Sequence, residues 1–62
     1  MTIKCSDLKE GMRIAVQNGG GMHYGTIVEL HRNIKHGEPG ADYELDDGEG
    51  YWCYEHQIKA IL

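Results

Sequence analysis

The chain has 62 residues, 40% of them hydrophobic, which allows one small domain with a single core and leaves no room for a second. Ten acids against six bases give a net charge of −4, which argues against a protein that coats duplex nucleic acid. The longest apolar run is four residues, Tyr51 to Tyr54, against the about 20 that a membrane helix needs, so neither a membrane span nor a signal peptide is expected.

Nine glycines, one proline and no phenylalanine point to many tight turns. From the N-terminus, Thr2 to Cys5 predicts a short strand. Ser6 to Gly11 predicts one helical turn, with Ser6 or Asp7 as cap and Gly11 as stop. Met12 to Gln17 alternates: Met12, Ile14 and Val16 face one way, Arg13, Ala15 and Gln17 the other, which is the pattern of a half-buried strand. Asn18-Gly19-Gly20-Gly21 is a turn. A second strand runs from about His23 to His31. Ile27, Val28 and Leu30 break its alternation and imply a bulge near Gly25 or Val28. Arg32 to Ala41, with Gly37, Pro39 and Gly40, predicts the longest loop. Asp42 to Asp46 alternates again with Tyr43 and Leu45 on one face, Asp47-Gly48 marks a hairpin, and Gly50 to Tyr54 is the returning strand. Glu55-His56-Gln57 reads as a single turn, and Ile58 to Leu62 as a closing strand. Ile14, Ile27, Leu45, Ile58 and Ile61 are expected inside. No helical apolar period runs for ten residues. The expected fold is therefore all-β: a small barrel of five or six short antiparallel strands with one or two single helical turns.

Gly11, Gly25-Thr26-Ile27-Val28, Asp46-Asp47-Gly48 and Ile58-Lys59-Ala60-Ile61 follow the layout of the SH3-like small barrels, and the chain resembles their Tudor and KOW-type members from about Leu8 to Leu62. Such barrels bind peptides, nucleic acids, cofactors or other subunits, so the resemblance speaks to fold more than to function. A Tudor aromatic cage would use Tyr24, but Val16 and Gln17 stand where its first-strand aromatic belongs. A second, weaker resemblance is to the plasmid-borne trimethoprim-resistant dihydrofolate reductase barrel. Tyr51-Trp52-Cys53-Tyr54 falls at its catalytic motif, where only Tyr54 matches, and Gln17 takes the place of its pore lysine.

Charge and aromatics single out one hairpin. Residues 1–41 hold five bases and four acids, whereas residues 42–62 hold six acids and one base, Lys59. Alternation in Tyr51-Trp52-Cys53-Tyr54 is expected to place Tyr51 and Cys53 inside and Trp52 and Tyr54 outside. Trp and Tyr are favoured interface anchors, and clustered charge orients association. The expected site is a protein-binding face of Trp52, Tyr54 and Tyr24 rimmed by Asp46, Asp47, Glu49 and Glu55. No catalytic residues, cofactor or metal are expected. Ser6 stands alone as a serine, and His23, His31, His36 and His56 are scattered, His31 and His36 flanking a loop whose spacing fixes no metal geometry. Cys5 and Cys53 are expected as reduced, small, buried hydrophobes, Cys53 the less accessible. The reading is a cytoplasmic bacterial or phage interaction module whose partner is a protein, a second copy of the chain included. Two other classes compete with it. One is a KOW-type nucleic-acid binder using Arg13, Arg32 and Lys35. The other is an acidic inhibitor that imitates nucleic acid.

Overall fold

Alternating side chains and glycine turns carry the fold, as the sequence requires. In the computed structural model, which describes residues 2–62, the strands are β1 (Arg13–Asn18), β2 (Gly21–Lys35), β3 (Glu38–Leu45), β4 (Gly50–Tyr54) and β5 (Ile58–Ile61). All pairings are antiparallel, and the sheet order is β4-β3-β2-β1-β5. Single 3-10 turns at Cys5–Asp7 and Glu55–Gln57 are the helical elements among the described residues. A flat sheet would be about 10 Å thick. The extents here are 29 × 24 × 23 Å, so the sheet is rolled around its own inner face, as a small barrel is. Leu8, Ile14, Val16, Ile27, Ala41, Tyr43, Cys53 and Ile58 form the buried core. Among the described residues no helix is long and apolar enough to cross a membrane.

Two hairpins use the same device. Asn18 pairs with Gly21 around Gly19 and Gly20 (φ 63° and 84°), and Lys35 pairs with Glu38 around His36 and Gly37 (φ 57° and 76°). Positive φ at both central residues matches the twist of the flanking strands. This corrects the expected loop over Arg32–Ala41: β2 runs on to Lys35, and β3 already begins at Glu38. Histidine tolerates the left-handed region better than most residues, and the Asn33 side chain accepts the Gly37 N–H at 2.9 Å. Pro39 removes no ladder bond, because β2–β3 pairing skips from His31 to Lys35 and β4 joins only at Gly40. The bulge falls at Val28, between the pairs Ile27–Tyr43 and Glu29–Asp42, and it lets Ile27 and Leu30 both turn inward.

The N-terminal segment also differs from expectation. Thr2 to Cys5 is not a strand, and the helical turn comes earlier, at Cys5–Asp7. Asp7 takes the Lys4 N–H at 3.2 Å, and the Cys5 N–H donates to the Glu55 carboxylate at 2.6 Å, so local and long-range acceptors together fix the turn there. Leu45 is half-buried at the rim of the core instead of inside it. Ile61 lies opposite Ile14 but is 44% exposed, because β5 is an edge strand and its register shifts beside Ala15 and Val16.

Candidate functional site

The β3–β4 register sets Trp52 opposite Asp42, Cys53 opposite Ala41 and Tyr54 opposite Gly40. Cys53 has no solvent-exposed surface, so alternation turns Trp52 and Tyr54 outward. Trp52 is 41% exposed and Tyr54 half-buried. Their rings meet edge to face with centroids 5.1 Å apart, and Tyr54 in turn stacks on His56 at 5.4 Å. The Lys35 ammonium lies 5.5 Å from the Trp52 ring centroid. The sequence missed this contact because it left Lys35 in a loop.

Tyr51 corrects the expected inward pair. It shares a side with Cys53 yet is 37% exposed. The core position beneath it is already filled by Tyr43, its partner across the strands, whose hydroxyl is reached by Asn18 (3.0 Å) and by His23 Nδ1 (2.8 Å). Tyr51 therefore lies over His23 and Tyr43, with centroids at 4.8 and 5.9 Å, and donates its hydroxyl to Glu49 at 2.6 Å.

The acidic rim divides. Asp46 is held by the Arg13 guanidinium at 2.9 and 3.5 Å. Asp47 accepts the Glu49 N–H at 2.9 Å and shapes the turn. Glu55 fastens the N-terminal segment through Cys5 and is a structural acceptor. Tyr24 is 55% exposed but sits opposite Ala15, five residues along β2 from Glu29. That is on the order of 15 Å of strand from the row that holds Trp52. The structure thus brings Trp52, Tyr54, His56 and Lys35 together and leaves Tyr24 and Glu55 outside the group. The acids nearest Trp52 in register are Asp42, beside it, and Glu29, across β3.

Trp52 stands between two concavities. A cleft of about 420 Å³ is lined by Asn18, Gly50, Tyr51, Trp52, Tyr54 and Gln57. A shallower hollow of about 340 Å³ on the other side includes Val28, Asp42 and Glu44. The free edge of β4 beside the cleft is partly capped by side chains. Asn18 donates to the Trp52 carbonyl at 3.2 Å, and Gln57 accepts the Tyr54 N–H at 2.8 Å while donating to the Gln17 carbonyl at 3.0 Å.

Several groups have shifted acidity. Burial pushes the Cys53 thiol up to about 11, and burial followed by the nearby Glu55 charge raises Cys5. Both cysteines are free. Burial also raises the Tyr43 phenol, and the bond to Glu49 raises that of Tyr51. His31 is raised mainly by its hydrogen bond to Asp42, at 2.8 Å. The three bases of the nucleic-acid reading do not form one patch. Arg13 is committed to Asp46 beside Thr26, whereas Arg32 and Lys35 lie at the far end of β2. Compared with family models, curated proteins and solved structures, the chain finds no match.

Proposed function

We propose that this chain is a non-enzymatic, SH3-like interaction module that docks a protein segment on the face centred on Trp52 and Tyr54. The observation that carries the reading is Trp52 itself. It is a large aromatic on the outer side of an edge strand, 41% exposed, between two concavities. Leaving that much apolar surface in water is unfavourable, and aromatic side chains of this kind are the usual anchors of protein contacts. The chain's own Lys35 indicates what the face attracts: an ammonium on an aliphatic stem, laid over the indole. A partner bearing lysine or arginine would use the same chemistry, with Asp42 and Glu44 beside it and a net charge of −4 behind it. Two free thiols fit a reducing compartment such as the cytoplasm.

Selection of random displayed peptides on the immobilised protein tests the reading. Enriched peptides should carry basic residues and should bind Trp52→Ala roughly 2 kcal/mol, or about 30-fold, more weakly, with an unchanged melt. Peptides that bind Trp52→Ala as well as the parent would place the contact elsewhere. Sedimentation of both proteins alone shows whether a second copy occupies the face.

A further inference from the structure

We propose that Glu29, His31 and Asp42 form a binding site for a divalent metal ion, zinc in particular, on the outer face of the β2–β3 ladder. Glu29 and Asp42 are directly opposed across the two strands, and His31 lies two residues further along β2 on the same face. His31 Nε2 is 2.8 Å from Asp42 Oδ2 and 3.9 Å from Glu29 Oε1, and one donor atom from each residue falls within 4.8 Å of the other two. Zinc held at about 2.0–2.1 Å by tetrahedral ligands keeps them about 3.4 Å apart. The three donors bracket that spacing, so small side-chain rotations suffice on a backbone fixed by ladder pairing.

The bulge at Val28 builds the site. Without that extra residue, strict alternation from the inward Ile27 would turn Glu29 and His31 inward as well; with it, both face Asp42. Charge supplies a separate reason. Like charges directly opposite each other on a sheet are destabilising. Among the described residues the ion-pair partner of both carboxylates is His31, and no lysine or arginine lies within salt-bridge range of either. A divalent cation would neutralise both carboxylates at once. One imidazole with two carboxylates suits zinc better than calcium or magnesium, which favour all-oxygen shells. The site stands independently of what docks on Trp52, although Asp42 is the cross-strand neighbour of that residue.

The test is calorimetric titration of the full chain with zinc chloride, alongside Trp52 emission, since this is the one tryptophan in the sequence. The expected result is saturable binding of one ion per chain. Binding should weaken by at least about tenfold in His31→Ala, Glu29→Gln and Asp42→Asn, the last two preserving shape if the first disturbs the strand. It should persist in Cys5→Ser and His36→Ala. Absence of saturable zinc binding by the parent, unchanged affinity in His31→Ala and the two amide variants, or loss in Cys5→Ser would each overturn the assignment.

Discussion

Replacing Gly40 with alanine adds one methyl group at the point where this barrel has least room for it. Gly40 is in β3, between His31 of β2 and Tyr54 of β4. A Cβ built there runs into the Cys53 carbonyl oxygen and the Ile34 side chain. The carbonyl belongs to the backbone of β4 and cannot rotate away, so the two strands must separate. Separation loosens the register that buries Cys53 and aligns Trp52. Overpacking of this kind costs about 1–3 kcal/mol, and backbone displacement brings the expectation to about 3. A domain of this size commonly has only about 3–5 kcal/mol to lose. At about 4–8 °C per kcal/mol, the melt should fall by at least about 12 °C. Gly21→Ala is the matched control: the same methyl meets nothing within 4 Å, and the residue does not need positive φ. It should be neutral, or stabilising by up to about 1 kcal/mol through the unfolded chain. Circular-dichroism melts of both variants decide the matter. A Gly40→Ala melt within about 4 °C of the Gly21→Ala melt would refute the packing account.

Cys53, with no exposed surface and a thiol raised to about 11, should resist alkylation in the native protein at pH 8, where only about 0.1% would be thiolate. Cys5 should react first, and prompt labelling of Cys53 would contradict its inward placement. The same shift predicts alkaline instability. The folded state favours the neutral thiol, so its contribution is complete below the ordinary value of 9.0 and declines as pH rises towards about 11, by at most on the order of 2 kcal/mol. The raised Tyr43 phenol works in the same direction above 10.0. A urea midpoint that stays constant from pH 8 to pH 11 would argue against both. Tyr43→Phe removes the hydroxyl shared with Asn18 and His23 and should cost about 1 kcal/mol in urea unfolding while leaving peptide binding at Trp52 unchanged.

The succession of strands along the chain and most of the inner face were legible because alternation is local. Ile14 and Val16, Ile27 and Tyr43, and Cys53 each announce their side by spacing from their neighbours. The strand at Gly50–Tyr54 and the turn at Glu55–Gln57 also lie where the sequence places them. The arm from Arg32 to Ala41 was not legible, since its proline and glycines suggest a loop. Only the three-dimensional register shows that Pro39 sits where no ladder bond is needed and that His36 can take the left-handed turn. That misplacement hid Lys35 from Trp52, whereas the opposition of Glu29 to Asp42 is a matter of cross-strand register, which spacing along the chain does not show. Among the acids, composition revealed the cluster but not its commitments. Asp46 belongs to Arg13 and Glu55 to Cys5, both through contacts more than thirty residues apart in the chain. Tyr51 was misplaced because parity names a side of the sheet and does not say where the core ends.

Docking of a protein partner on the outer face at Trp52 can be read at a single atom pair. Because the chain has one tryptophan, its indole N–H gives a single resonance in a ¹⁵N-correlated spectrum. Titrating in a peptide selected on the parent protein should shift or broaden that resonance together with the amides of Asp42 and Tyr54. The amides of Ala15 and Ala60, on the β1–β5 side, should stay in place. Saturable binding that leaves the Trp52 indole unmoved would contradict the account.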